Sequence, residues 1–281
     1  MHSADQEKFM QDGWVIVDIP RPGIIHDYVG MLELKARELT GTGCTLATIH
    51  KHVDDAAFAE IHPALAQYFW DSEFSLKAGP VFLDLLKDMI GLDIMVQYMP
   101  YLRLARPNRR EDNIGYHKDT QYGQTPYELA VHVPFVDLDA AASLKVITGS
   151  HFAPESDYPS IAAGESKIAK GSTEHMLGKP YAPKNLALPQ GIAAVPLAMR
   201  VGQAAFFTPA LLHGQEINQG NVTRVSTDLR FVNANAKVNL KLGKTRAGYV
   251  PIAQSPVERA AQDYYAAQPK DSPATADASG Y

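Results

Sequence analysis

The chain has 281 residues, 46% hydrophobic and 20% charged, which is enough apolar material for a sizeable core and argues against wholesale disorder. Its net charge of −5 argues against a nucleic-acid or anionic-membrane partner. The single cysteine, Cys44, excludes an internal disulfide and a cysteine-built zinc site and fits a reducing, cytoplasmic setting.

The opening segment "MHSADQEKFMQDGW" has no apolar signal core, and no apolar run approaches membrane-spanning length. Ser3 reads as a helix cap, with a short helix to Asp12 and Gly13 as its stop. "WVIVDIP" reads as a strand ended by proline. Residues 26–40, 56–71 and 74–91 carry helical apolar spacing, as at Phe58, Ile61, Leu65 and Phe69. The first 92 residues are therefore expected to be mostly helical.

Beyond them, 93–105, 128–138, 143–148, 193–199, 203–209 and 223–234 read as short strands separated by Gly, Pro and Asn turns. Many such strands indicate a sandwich or barrel, with the helices on one outer face. Residues 152–192 form a long irregular insert, expected to be disordered or a functional lid, and the tail 268–281 has a disordered composition. No internal repeat or domain boundary is visible, so the expectation is one domain over 1–267, with a helical region over 1–92 and a β core over 93–250.

The stretch "GYHKDTQYG" places His117 and Asp119 two residues apart. On a strand these point to one face and can reach one ion, although a lone His-x-Asp is more often an ordinary polar pair. Two histidines and a carboxylate suit Fe(II), Mn(II) or Zn(II) and leave coordination positions open. His213 is the candidate third ligand. If Gln219-Gly220 closes a two-residue hairpin, His213 lies opposite Ser226 and shares its face with Arg224, about 7 Å along the strand. Arg224 would then be placed to clamp a carboxylate of a small molecule that also chelates the metal. A one-residue slip would send it to the opposite face.

His117-Lys118-Asp119, His213 and Arg224 eleven residues later resemble the iron and 2-oxoglutarate motif of the phytanoyl-CoA dioxygenase family. "EKFMQDGWVIV" is similar to that family's N-terminal helix, glycine and strand, and "LKVITGSH" (144–151) to its Leu-x-Val-x-Pro-Gly-Ser-His segment. The likeness spans nearly the whole chain except the 152–192 insert and the tail. It departs at Ala142-Ser143, where Asn-Gly is usual, at Thr148, where proline is usual, and at His132, where an aromatic residue often touches 2-oxoglutarate.

The resemblance implies a mainly β fold with flanking helices, a double-stranded β-helix (jelly-roll, cupin-like). It also implies Fe(II) held by His117, Asp119 and His213, and 2-oxoglutarate anchored by Arg224, with Ser226 and His132 as further contacts. The implied activity is a dioxygenase that oxidises, most simply hydroxylates, a small organic metabolite while O2 and 2-oxoglutarate become succinate and CO2. Related halogenases lack the carboxylate ligand, so Asp119 favours hydroxylation or another oxidation. Tyr101 and Arg103 are the inward-facing substrate candidates on their strand, and His175 and Lys184 on the insert are candidates for closing over substrate. The plainer alternatives are a strand serine bonded to its neighbour for Ser226, a satisfied core histidine for His132, and a solvated charged loop for Arg103, Arg106, Arg109 and Arg110. Two other classes stay open: a cupin-like metal enzyme that does not use 2-oxoglutarate, and a non-catalytic jelly-roll binding module.

Overall fold

Residues 1–162, 168, 172–181, 184–188, 190–215, 217–236 and 248–268 are described by a computed structural model of the chain. The helical first third forms where its apolar spacing indicates. α1 (Ser3–Asp12) stops at Gly13 and leads directly into β1 (Trp14–Asp18). Ser3 is the first helical residue and His2 occupies the cap, one place earlier than expected. α2 (Gly23–Thr40) buries Ile25, Tyr28, Leu32 and Ala36, a stripe at three- and four-residue steps. α3 (Asp55–Asp71) is capped by Asp54, whose side chain accepts the Ala57 N–H at 2.8 Å. The expected helix over 74–91 divides into α4 (Phe74–Ala78), a 3-10 turn (Gly79–Phe82) and α5 (Leu83–Ile90). Pro80 lies at the break, at the start of the 3-10 turn, where its missing N–H leaves no helical hydrogen bond to make.

The expected strand over 93–105 is also two, β2 (Ile94–Gln97) and β3 (Leu102–Ala105), separated at Pro100. β4 (Glu128–Pro134), β5 (Lys145–Val146), β8 (Val195–Pro196), β9 (Gln203–Phe207) and β11 (Arg224–Asn233) lie inside the other expected segments. The insert carries β6 (Ser160–Ala162), the single helical turn α6 (Thr173–Met176) and β7 (Lys184–Leu186), which pairs with β6. The described residues of the insert are thus more ordered than its composition indicates. β10 (His213–Gly214) falls where a strand was expected at His213, though with another partner, while β12 (Tyr249–Ala253) and α7 (Pro256–Ala266) lie outside the expected segments. The expected tail lies outside the described residues beyond Gln268.

The larger sheet is antiparallel, ordered β1-β9-β4-β11-β2-β12, with β3 sharing one edge of β11 with β2. The smaller one runs β10-β5-β8. Leu129, Val131, Val133 and Phe135 on β4 and the loop after it, with Val225, Leu229 and Phe231 on β11, pack outward against the helices in one core. Phe69 of α3 meets Phe135 edge-on at 5.6 Å. Between the sheets a second cluster forms from Trp14, Ala130, Leu144, Val146, Ala205 and Phe207. This is a double-stranded β-helix, mainly β, with its helices on one face. Among the described residues no helix is long and apolar enough to cross a membrane.

Candidate metal centre and its pocket

His117, Asp119 and His213 converge, with one ligand atom from each lying within 4.8 Å of the others, and all three are buried. The local structure differs from the strand expected around His117. His117 makes a two-way backbone bridge to His213 (2.8 and 3.0 Å), and Asp119 opens a 3-10 turn, Asp119–Tyr122. Their convergence therefore comes from this bridge and turn, not from i, i+2 alternation. The bridge needs a close backbone approach, since a Cβ on Gly214 would lie 2.6 Å from the Gly115 carbonyl.

Both imidazoles are pre-oriented. Nδ1 of His117 lies 2.8 Å from the Gly115 carbonyl oxygen, and Nδ1 of His213 lies 2.9 Å from that of Leu211. A carbonyl only accepts, so each Nδ1 must donate its proton and each Nε2 carries a lone pair. Those Nε2 atoms stand 3.7 and 3.8 Å from the two carboxylate oxygens of Asp119. Burial, reinforced by His117, lowers the His213 pKa to about 4, keeping it neutral and able to ligate. Burial alone would raise the Asp119 pKa. The Arg230 guanidinium, then His213 and His117, outweigh this and hold the carboxyl well below the usual range. Nη1 of Arg230 faces Oδ2 of Asp119 at 2.7 Å, a charge contact without hydrogen-bond alignment. Two bare imidazole nitrogens and an ionised carboxylate, all buried together, form a donor set that fits Fe(II) and its divalent neighbours.

The triad lines a cavity of about 180 Å³ together with Arg103, Arg224, Asp228 and Arg230. The hairpin expected between His213 and Arg224 does not form. β10 pairs with β5, and β11 pairs with β4, β3 and β2. The intervening loop is held by Asn218, whose side chain donates to the carbonyls of Ala105 (2.8 Å) and Val222 (2.9 Å), so the chain crosses between sheets instead of turning back on itself. His213 and Arg224 face each other across the cavity from opposite sheets.

Arg224 is 6% exposed, and its hydrogen-bond partner is Asn113 Oδ1 at 3.3 Å. Among the described residues its Nε has no partner and no carboxylate lies within ion-pair distance. Burial lowers its pKa to about 10. Ser226 is fully buried with an unpartnered Oγ, two residues along β11 from Arg224. His132 sits opposite Asp228 in the β4–β11 register, its Nδ1 2.7 Å from that carboxylate and its Nε2 unpartnered. Neither Ser226 nor His132 lines the cavity directly.

Asp228 and Arg230 were missed in the sequence. The readable signal was Arg224, Ser226, Asp228 and Arg230, polar residues at alternate positions of one strand between Val225, Leu229 and Phe231, which face the helices.

Tyr101, Arg103 and His175 also line the cavity, with Tyr122 and Tyr181 beside them. Burial and the nearby Asp119 raise the Tyr122 pKa to about 12. The insert is pinned by Gly178 (φ 92°), where a Cβ would lie 2.3 Å from the Leu102 carbonyl oxygen. Of the remaining candidates, Arg106 is bound up with Asp55 (2.6 Å) and Asp112 (2.7 Å), and Arg109 pairs with Asp55 at 3.0 Å. His151 lies 3.2 Å from the Met10 carbonyl oxygen, in keeping with a structural role. The side chain of Lys184 lies outside what is described.

No family model matches the chain, and no curated protein matches it in sequence. Solved structures do match its fold. A non-heme monooxygenase, ThoJ in a nickel complex, superposes with TM-score 0.52 at 17% identity over 90% of this chain and 84% of that one. The epimerase SnoN, in complex with Fe3+, alpha-ketoglutarate and nogalamycin RO, gives 0.50 at 15% over 90% and 93%. EctD from S. alaskensis, with 2-oxoglutarate and 5-hydroxyectoine, gives 0.50 at 15% over 91% and 84%. At identities this low the likeness shows the fold alone.

Proposed function

We propose that this protein is a non-heme Fe(II)- and 2-oxoglutarate-dependent oxygenase acting on a small organic metabolite, and that it belongs to the phytanoyl-CoA dioxygenase family. The observation that carries the reading is a pairing in one cavity. Three convergent ligands share it with a buried guanidinium that, among the described residues, has no carboxylate within ion-pair distance. A guanidinium so placed suits the far carboxylate of a small acid that also chelates the metal, as 2-oxoglutarate does. The His-x-Asp, His213 and Arg224 spacing and the "LKVITGSH" segment support the family assignment. Iron and 2-oxoglutarate, when bound, would supply the oxidising power, with O2 and 2-oxoglutarate converted to succinate and CO2.

The chain's own residues prepare that chemistry. The carbonyls of Gly115 and Leu211 fix both imidazole tautomers, leaving each Nε2 for the metal. Arg230 keeps Asp119 ionised. Arg224 pairs with the far carboxylate of 2-oxoglutarate, the planar fork matching a carboxylate edge to edge. Ser226 and His132, each with an unpartnered polar atom beside the strand that carries Arg224, are the further contacts proposed for 2-oxoglutarate. Three protein ligands leave positions open for 2-oxoglutarate and O2.

The test is anaerobic titration of metal-free protein with Fe(II) and then 2-oxoglutarate, following the weak visible charge-transfer band of the chelate. The band should form with wild type and be lost in His213→Ala. Iron binding with no band on adding 2-oxoglutarate would refute the reading.

A further inference from the structure

With Arg224 assigned to 2-oxoglutarate, a second guanidinium in the cavity still has no acid. Arg103 lies on β3 across from Ser226, so its side chain leaves the sheet on the cavity side, diagonal to Arg224 and Asp228. Each carboxylate lining the cavity already has a basic neighbour: Asp119 and Arg230 at 2.7 Å, Asp228 and His132 at 2.7 Å, Asp112 and Arg106 at 2.7 Å. Among the described residues none lies within ion-pair distance of Arg103. Its Nη1 donates to the Gly178 carbonyl at 2.6 Å, and its guanidinium lies 4.8 Å from the centre of the Tyr101 ring. Burial lowers its pKa, against the more distant opposing pull of Tyr101, Asp228 and Asp119.

The two acid-free arginines reach in different directions. Arg224 extends to Asn113, while Arg103 is held to the insert. From Arg103 a run of rings leads to the metal site. Tyr101 and His175 are 5.2 Å apart, His175 and Tyr181 5.3 Å, Tyr181 and Tyr122 6.5 Å, and Tyr122 and His117 5.4 Å. An anion site at one end, aromatic rings between and a metal site at the other outline the chemistry of a ligand for this cavity. The cavity of about 180 Å³ suits a small molecule.

We propose that Arg103 binds a carboxylate of the substrate, and that the substrate is a small organic acid with a planar, apolar body lying along the Tyr101–His175–Tyr181–Tyr122 wall. Its oxidisable carbon then faces His117 and Asp119. This rests on the assignment of Arg224 to 2-oxoglutarate.

The experiment is calorimetric titration of phenylacetate, and separately of neutral phenylacetamide, into protein loaded anaerobically with Fe(II) and saturating 2-oxoglutarate. Wild type is expected to bind phenylacetate at least tenfold more tightly than the amide. Arg103→Gln should erase that difference, and Arg103→Lys, which keeps the charge, should restore some of it. Equal binding of the two probes by wild type, or a preference that survives in Arg103→Gln, would overturn the proposal. The charge-transfer band, recorded before any probe is added, separates the two possible failures. No band in wild type means the 2-oxoglutarate reading has failed and this one with it. A band lost in Arg103→Gln makes Arg103 a second clamp on 2-oxoglutarate, which overturns the substrate role alone.

Discussion

Replacing Arg224 by methionine should stabilise the ligand-free protein while abolishing its response to 2-oxoglutarate. Burial lowers the Arg224 pKa from the ordinary 12.5 to about 10. At about 1.36 kcal/mol per pH unit, the charged side chain then destabilises the ligand-free fold by about 3 kcal/mol. That penalty is present in full at pH 7, where the native and unfolded states are both protonated, and is relieved only above about pH 10. Methionine keeps an unbranched chain but has no charge to desolvate. It forfeits the 3.3 Å bond to Asn113, worth about 1 kcal/mol. The net gain is about 2 kcal/mol, or roughly 4–8 °C in Tm for a chain of this size.

The response to ligand runs the other way. Two charge-assisted hydrogen bonds to a carboxylate contribute about 3–6 kcal/mol together, so their loss weakens 2-oxoglutarate binding by roughly 10²–10⁴-fold. At 100 times its Kd, 2-oxoglutarate stabilises wild type by about 2.7 kcal/mol and leaves the variant unmoved. Thermal unfolding under argon with Fe(II), with and without 2-oxoglutarate, reads both effects. A variant less stable than wild type without ligand would refute the argument from the unpaired charge. Equal stabilisation of both proteins by 2-oxoglutarate would refute the role of Arg224.

The ion pair behind the metal site and the buried histidine at the insert make two further predictions. Asp119→Asn leaves Arg230 buried without its carboxylate, so the metal-free variant should lose about 3–5 kcal/mol in urea unfolding, and adding Arg230→Met should recover most of it. A loss below about 1 kcal/mol would mean that the pair contributes little to the fold. His62 is buried with Nε2 3.2 Å from the Leu102 carbonyl oxygen, and desolvation lowers its pKa from 6.5 to about 4. Below pH 6.5 the unfolded chain takes up a proton that the native state refuses until about pH 4, so stability falls by about 3 kcal/mol as pH falls across that window. His62→Gln should flatten this limb of the stability profile, and an unchanged slope would show that His62 does not titrate as its burial indicates.

Local pattern was sufficient for the elements of this protein whose buried face repeats along the chain itself. The stripes of α2 and α3 are visible because a helix buries residues three and four apart whatever it packs against. The outward face of β4 is visible because its alternation needs no knowledge of the neighbouring strand. His117, Asp119, His213 and Arg224 could be singled out by residue type and spacing, and the structure brings all four to one cavity.

The reasons for that meeting were not legible, and the hairpin inferred for it was wrong. Which strand pairs with which depends on contacts between residues far apart in the chain. β10 joins β5 and β11 joins β3 and β4 with the help of Asn218's bond to the distant Ala105 carbonyl and the closeness of Gly214 to Gly115. The same holds for Arg230 against Asp119 and for Arg103 against Gly178, at separations of 111 and 75 residues. Residue types set by local chemistry can be read from a sequence. Counter-charges supplied across a fold cannot, since no periodicity records them, and here they decide which arginines are paired within the protein.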